Sequence, residues 1–542
     1  MSEAIGGAAL REALAASALA DIPKLLTLLD RTPVSATYGC FDRAYWHYRM
    51  MDFPCGMSQV LVLPLALAWS LPIPGNPYYR QAAIRDWVEA GLRYAARSAH
   101  PDGSCDDYYP FERAAGAVAF SLFACLEAVR RLDLAGDPEL DAFLIRRARW
   151  LAAHAESGRL SNHEALIVAC LARIRARFGA EWEAPLRRRV ERLLSWQSGE
   201  GWFVEYEGAD PGYLSLTIAM IADADRLRPD LGLREPCRRA IGFLAALVHP
   251  DGTVGGEYTS RATLNYFPHG LEIAAAWMPE ATTVNDRALR PLAEGRAPCL
   301  ADDHIFGHHM WSRLLAWEDW REARFAAPET PVEGRTAYPE ARLLVDRREG
   351  WALFLGWSRG GAFKLFRNDR LVRSDTGPTL RTRDGRVAVT HLEGAQEAEL
   401  EADRIVVRGR MAWSKTARLT PFKSAVLRMV MLSGGRFFPD LIRALLQRIL
   451  VTGRKDAPFR FERELTWRDG AWRLRDTVVA ENGWGNVAAV GIGGFQTSVT
   501  TVMARVWQPS QLQPWQDLSD RLDNLGDGDP LVVDWTPDGR PQ

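Results

Sequence analysis

Four stretches of the chain set histidine, tyrosine, arginine, amide and carboxylate side chains close together, each soon after a turn signal. The first is Asp106-Asp107-Tyr108-Tyr109 with Glu112-Arg113, and the second is Asn162-His163-Glu164. The third holds Trp202, Glu205, Tyr206, Glu207, Asp210 and Tyr213; the fourth holds Glu257, Tyr258, Arg261, Asn265, Tyr266 and His269. These types suit proton transfer and anion binding. Histidine is the side-chain base nearest neutrality, a phenol beside a cation gives or takes a proton, and arginine or an amide neutralises a carboxylate. Each also has a plainer use. Asn162 suits a helix N-cap, Tyr213 after Asp210-Pro211-Gly212 suits a turn anchor, and Glu112-Arg113 suits a local ion pair. Thr259 and Ser260 predict a polar, exposed loop between Tyr258 and Arg261, where Gly255-Gly256 leaves room for a ligand to approach the backbone.

Something must carry these stretches to one place. His100-Pro-Asp-Gly103 recurs as His249-Pro-Asp-Gly252, with Ser157-Gly158 and Gly199-Glu-Gly201 between, so a turn signal returns at steps of about 55, 43 and 51 residues. Two helices with their loops occupy about 50 residues. The period predicts helical hairpins packed side by side, closed into an α/α toroid, with an open HEAT-type solenoid as the rival. If every signal joins the same two helices of its hairpin, all four loops gather on one rim, a scaffolded cleft. From about Ala341 onward the texture changes to short alternating runs such as Ala362-Phe-Lys-Leu-Phe366, spaced by Arg383-Asp-Gly385 and Arg468-Asp-Gly470. That pattern predicts an antiparallel β-sandwich. The expected organisation is a toroid over 1–325, a linker over 326–341 and a β-sandwich over 342–542, with an inserted amphipathic helix near 437–451. The apolar face of that helix (Phe438, Leu441, Ile442, Leu445, Leu446, Ile449) is flanked by Arg443 and Arg448. Burial against the toroid is its simplest cover; docking of residues 437–450 to a membrane surface or a partner is the alternative.

Composition narrows the function classes. A chain of 542 residues predicts two domains, and 47% hydrophobic with 25% charged residues is ordinary for a globular protein. Lys+Arg 67 against Asp+Glu 68 leaves a net charge of -1, no field to hold a nucleic-acid backbone. The 20 tryptophans serve cores, and indole faces also stack on sugar rings. Seven scattered cysteines without a CxxC pair read as buried reduced thiols. Met1 to Asp30 reads as a helix rather than an export signal, and the apolar run from Val60 to Pro74 is too short to span a bilayer, so the cytoplasm is the expected location. Phosphate-loop and nucleophile-elbow patterns are missing, and Gly491-Ile-Gly-Gly494 lies in a β region with no following helix.

Ser161-Asn162-His163-Glu164, the stretch from Glu205 to Tyr213, and Gly255-Gly-Glu-Tyr-Thr-Ser-Arg261 resemble the heparinase II/III and alginate-lyase group of polysaccharide lyases. That group joins an N-terminal α/α toroid to a C-terminal antiparallel β-sandwich, the order already read here. The likeness covers most of the chain in architecture and short segments in motif. It implies a site at Asn162, His163 and Tyr213 and cleavage of a uronic-acid polysaccharide by β-elimination. His163 would be the base and Tyr213 the acid, or the reverse. Asn162 would neutralise the sugar carboxylate, with Arg261 or Arg113 as an alternative clamp. The rim adds Tyr109, Arg113, Trp202, Glu205, Glu257, Tyr258, Arg261 and Tyr266 as substrate contacts. The expected partner is an acidic polysaccharide or oligosaccharide, and no cofactor is required. Many members of the group are exported, whereas no export signal is read here.

A second cluster is Asp302-Asp303-His304-Ile-Phe-Gly-His308-His309. His304 and His308, four apart, would share a helix face and a structural divalent metal. Gly307 weakens that helix and the pattern lacks HExxH, which favours a structural role. Two rival functions remain. A toroid glycoside hydrolase would pair Asp106 or Asp107 with Asp210 or Glu257. A non-catalytic protein of cell-envelope polysaccharide assembly would use the same aromatic rim for binding alone.

Overall fold

A computed structural model describes residues 5–154, 158–206, 208–298, 304–325, 333–394, 396–414, 420–447, 454–493 and 515–535. The N-terminal half is helical: α1 (Gly7–Ala20), α2 (Ile22–Leu28), α3 (Arg43–Trp46), α4 (Val62–Ser70), α5 (Ala82–Ser98), α6 (Ala115–Arg131) and α7 (Pro138–Ala153) lead to α8 (Ser161–Phe178), α9 (Glu183–Leu194), α10 (Pro211–Leu227), α11 (Arg234–Ala246), α12 (His269–Ala274), α13 (Ala281–Ala293) and α14 (Ile305–Glu318).

Composition sorts these helices into two rings. α6 is buried on every side from Ala115 to Val129, and α8 and α10 are nearly so; a helix that is apolar all round belongs inside. α5, α9 and α11 bury one face and expose charge on the other. The inner helices touch in sequence, α4 on α6, α6 on α8, α8 on α10, α10 on α12 and α12 on α14, and α14 returns to α4. That last contact closes the ring and decides for a toroid over an open solenoid. Gly307 sits at the seam, where a β-carbon would run into Leu61. Close approach is the use of a residue that would otherwise weaken α14.

The recurring turns are one structure. His100 donates its backbone N–H to Ser104 O at 2.9 Å, Ser198 to Trp202 O at 2.8 Å, and His249 to Thr253 O at 2.9 Å. The glycine inside each turn, Gly103, Gly201 and Gly252, has φ of 90°, 101° and 83°, and at Gly201 a β-carbon would meet Arg239 O of the neighbouring outer helix at 2.5 Å. Each turn ends an outer helix and feeds an inner one, so the N-terminal ends of the inner helices share a rim.

The C-terminal half is antiparallel β. A five-stranded meander comprises β1 (Gly334–Tyr338), β2 (Leu343–Arg348), β3 (Trp351–Gly356), β4 (Ala362–Arg367) and β5 (Arg370–Asp375). The second sheet comprises β6 (Pro378–Thr382), β7 (Val387–Val389), β8 (Glu397–Leu400), β9 (Arg404–Trp413), β10 (Asp456–Arg468), β11 (Ala471–Ala480), β12 (Val487–Gly493), β13 (Trp515–Asp517) and β14 (Leu531–Trp535). Its order is β13-β12-β6-β7-β9-β10-β11-β14, with β8 also on β9. β10 and β11 meet in a two-residue Asp469-Gly470 turn, Arg468 opposite Ala471, with φ of 53° and 69°, the geometry a tight hairpin requires.

The meander is shared. Leu343, Val345, Ala352, Phe354 and Phe366 belong to the toroid core, while Leu344, Leu353, Leu355, Phe363 and Leu365 face the second sheet. With both faces covered, β3 is buried at every position.

Between β9 and β10 the chain leaves the sheet as α15 (Pro421–Leu432) and α16 (Pro439–Gln447). The expected amphipathic helix thus begins at Pro439, and a second helix precedes it. Residues 448–453, with Arg448 and Ile449, lie outside the described residues. The expectation that the toroid buries the apolar face is overturned. Phe438, Leu441 and Leu445 are 65%, 67% and 52% exposed. The toroid offers carboxylates here rather than apolar surface: Arg428 pairs with Asp52, and Arg443 Nε lies 3.9 Å from Glu112 Oε1. Among the described residues no helix is long and apolar enough to cross a membrane.

Candidate active site

The rim is stitched together by backbone. Ser161 N–H donates to Val204 O at 3.2 Å and Tyr206 N–H to Arg159 O at 2.8 Å, joining the second loop to the third. Ser260 N–H donates to Ala209 O at 3.0 Å and joins the fourth. Asp210 is the hub: it caps α10 by accepting Tyr213 N–H at 2.9 Å and accepts the hydroxyls of Thr259, at 3.0 Å, and Thr263. Pro211 at the first helical position needs no N–H partner. Tyr213 therefore leaves the helix start in a fixed direction.

Two predicted residues, Asn162 and Arg261, meet on one carboxylate, with Tyr213 against Arg261 and His163 next to Asn162. Glu205 is buried and accepts from Asn162 Nδ2 at 2.8 Å, while Arg261 Nη1 lies 3.2 Å from its other oxygen. Burial pushes the Glu205 carboxyl above its ordinary range, against the pull of Arg261, His163 and Asn162. The Arg261 guanidinium also lies over the rings of Tyr206, 4.5 Å from the centroid, and Tyr213, 4.9 Å. A side-chain amide has two N–H donors, so Asn162 keeps one beyond the bond to Glu205, and its Oδ1 is buried without a hydrogen-bond partner.

His163 stands at the same helix start. Its ring meets Phe120 edge-on at 5.7 Å, and a β-carbon at Gly116 would lie 2.6 Å from it, so α6 approaches there only because Gly116 has no side chain. Beneath it His308 stacks flat on Phe120, centroids 4.1 Å apart, and burial pushes its pKa down to about 3. His308 thus reaches the floor of the site as a neutral ring.

The other predicted contacts go elsewhere. Tyr109 and Arg113 stay on the first loop, where Arg113 pairs with Asp102 at 2.9 Å rather than with Glu112. Glu112 instead accepts Tyr108 N–H at 2.7 Å, and burial pushes it up to about 7 against the pull of Arg443. Trp202 is in the core, its indole N–H on Glu200 at 2.9 Å. The predicted exposed loop around Tyr258 is buried, because its hydroxyls are consumed by Asp210 and by Glu205 O, at 3.2 Å from Ser260 Oγ. Tyr258 OH bonds His249 Nε2 at 3.0 Å, and Tyr266 OH donates to Asn285 at 2.6 Å. Gly255 and Gly256 admit Thr263 and the Lys364 side chain instead of a ligand. Although burial opposes it, the Lys364 ammonium at 2.8 Å holds Glu257 down to about 2. Glu207 lies outside the described residues. Sequence reasoning missed Lys364 and the buried Arg359, both supplied by the β domain; they carry no motif that marks them.

The His304/His308 metal pair does not form. His304 stands before α14 with Nε2 3.3 Å from Cys55 Sγ, and Cys55 Sγ lies 3.1 Å from Asp107 Oδ1. Among the described residues these three are the group of His, Cys and carboxylate atoms close enough to hold one metal ion. Five other thiols, at Cys40, Cys105, Cys125, Cys170 and Cys237, are free and buried.

No family model matches the chain, and no curated protein matches it in sequence. Solved structures do. A Paenibacillus xanthan lyase superposes with TM-score 0.50 at 12% identity over 89% of this chain and 46% of that one. A chondroitin AC lyase from Streptomyces coelicolor A3 gives 0.49 at 13% over 89% and 68%, and a heparinase III 0.38 at 12% over 78% and 67%. The chain spans less than half the length of the xanthan lyase. At such identities the likeness speaks for the fold, a polysaccharide-lyase-like α/α toroid joined to an antiparallel β domain.

Proposed function

We propose that the protein is an enzyme that cleaves an acidic, uronic-acid-containing polysaccharide or oligosaccharide by β-elimination. The observation that carries this reading is the meeting of Asn162 and Arg261 on Glu205, with the Tyr213 ring under Arg261 and His163 beside Asn162 at the start of α8. With a uronate bound, the free N–H of Asn162 and the Arg261 guanidinium neutralise its carboxylate and acidify the proton on the adjacent carbon. His163 takes that proton. The electron pair becomes the C4–C5 double bond as the C4–O bond breaks, and Tyr213 gives its proton to the departing oxygen. The phenolate left behind faces Arg261, and proton exchange with water restores both groups.

A second reading reverses the roles, because a cation over the Tyr213 ring also favours a phenolate base. A substrate whose leaving group needs no protonation separates the two. It rescues Tyr213→Phe if Tyr213 is the acid and does not if Tyr213 is the base. The hydrolase alternative has less support, since Asp106 is occupied by the amides of Phe111 and Arg113, Asp210 by the cap, and Glu257 by Lys364.

The test is ultraviolet absorbance of the unsaturated uronate end across a panel of uronic-acid polysaccharides. His163→Ala and Tyr213→Phe should each cost about 10²–10⁴ in rate. New reducing ends without the absorbance rise would overturn elimination.

We further infer that α15 and α16 dock to an anionic lipid surface. Phe422, Met429, Phe437, Phe438 and Leu441 are each at least 65% exposed. Residues 415–455 carry nine basic side chains against the single acid Asp440, in a chain of net charge -1. Apolar anchors within a cationic segment match the interface of an anionic bilayer. The protein should co-sediment with phosphatidylglycerol vesicles and not with phosphatidylcholine, and Phe438→Asp with Leu441→Asp should abolish it. Failure to bind either vesicle, or a dimer by light scattering that the same substitutions dissolve, would overturn the lipid assignment.

A further inference from the structure

The Cys55, Asp107 and His304 cluster is used neither by the elimination chemistry nor by the core. Cys55 precedes the turn that leads into α4, Asp107 belongs to the first rim loop, and His304 immediately precedes α14. Their ligand atoms come from segments 52 and 249 residues apart, yet all lie within 4.8 Å of one another. Hydrogen bonding rewards this arrangement poorly, because a thiol is a weak donor and a weak acceptor. Metal binding rewards it well. With zinc–sulfur bonds of about 2.3 Å and zinc–nitrogen or –oxygen bonds of about 2.0 Å, tetrahedral sulfur–nitrogen and sulfur–oxygen pairs sit about 3.5 Å apart. The observed sulfur–nitrogen separation is 3.3 Å and sulfur–oxygen 3.1 Å, so side-chain shifts of a few tenths of an ångström admit the ion.

We propose that Cys55 Sγ, Asp107 Oδ1 and His304 Nε2 bind one zinc ion. Thiolate, imidazole and carboxylate form a mixed donor set typical of that metal, with water as the fourth ligand. The Cys55 proton leaves to solvent on binding, while the carboxylate and the Nε2 lone pair bind as they are. The position gives the ion a task. α4 and α14 are the inner helices that meet at the seam of the toroid, and the three ligands belong to the approach to α4, the start of α14 and the rim loop beside them. The metal pins the ring where its first and last inner helices join.

The proposal is independent of elimination, because its readout is metal content and spectrum. Full-length protein is equilibrated with Zn(II) or Co(II), dialysed and analysed by elemental analysis and absorption. Wild type should retain about one ion per chain, show a thiolate-to-cobalt charge-transfer band and melt at higher temperature with metal than without. His304→Gln, Asp107→Asn and Cys55→Ser should each weaken binding about 10²-fold or more, since even residues outside the first coordination shell cost 10–100-fold, and Cys55→Ser should remove the charge-transfer band. His47→Gln, a histidine outside the cluster, should change nothing. Wild type that retains no metal, or binding that survives both His304→Gln and Cys55→Ser, would overturn it. If Cys55→Ser does not fold, the band and stoichiometry of His304→Gln and Asp107→Asn decide.

Discussion

At the scale of single residues, the rim is governed by where charge is buried. Glu205 is buried while the paired Arg261 side chain is 17% exposed, so losing Arg261 strands a buried carboxylate, and losing the Glu205 charge leaves a cation that still reaches water. Arg261→Ala should destabilise the protein by about 3–5 kcal/mol, whereas Glu205→Gln, which can still accept from Asn162, should cost clearly less; urea denaturation of both variants measures the difference. Glu112 adds a pH dependence. Its carboxyl is pushed up from 4.5 to about 7 by burial, so the stability it contributes is complete below pH 4.5 and lost as the pH rises through 7. Wild type should therefore gain about 3 kcal/mol less stability than Glu112→Gln between pH 4 and pH 8, checked by unfolding both across that range. Residue types in the four loops pointed to the rim, and Asn162-His163 stood out because the two are adjacent. Burial was not legible there: Trp202, Tyr258 and Tyr266 have the same letters as binding aromatics and spend them on Glu200, His249 and Asn285. Asp107 and His304 each stood out by type, but their meeting with Cys55 left no signal, since a cluster assembled from distant segments has no spacing to read.

At the scale of elements, the turn glycines are what make the helical hairpins repeat. Gly201 combines φ of 101° with a backbone carbonyl in the way of any β-carbon. Gly201→Ala should cost at least about 1–3 kcal/mol from the backbone conformation alone, visible as a lower thermal midpoint, while Gly136→Ala, with open space and φ of 93°, should pay the conformational part only. The period of these turns was the clearest signal in the sequence, because a positive φ restricts the choice of residue. The helix α15 was invisible for the opposite reason. Pro421 to Leu432 carries Phe422, Val426, Met429, Val430 and Leu432 toward solvent and buries Met431, and periodicity reports that a helix has an apolar face without saying what covers it. The alternation of β3 was blurred too, because a strand buried on both faces has no polar side to alternate with.

At the scale of the whole molecule, the shared meander makes toroid and β domain one cooperative body. Phe354 packs in the toroid core from a sheet whose opposite face closes the sandwich. Phe354→Ala should cost about 3–5 kcal/mol and lower a single calorimetric transition rather than split it; two transitions would mean that the halves unfold separately. The order of helical then β halves was legible from texture, while the sharing of a sheet was not, since nothing in Leu343-Leu344-Val345 says which side faces which core. At the opposite mouth of the ring, ion pairs of Arg173 with Asp223 and Arg226 with Asp319 line a cavity of about 630 Å³. The insertion between β9 and β10 has a different standing. Trp413 N–H donates to Lys455 O at 2.9 Å and Ala412 faces Asp456, so the two strands are already stapled where the excursion leaves and rejoins them. Such an excursion behaves as a cassette that a short turn can replace in the sheet, its tie to the rim being the pair of Arg443 with Glu112. The proposed docking surface and the proposed reaction are thereby written in separate stretches of chain, free to be engineered apart.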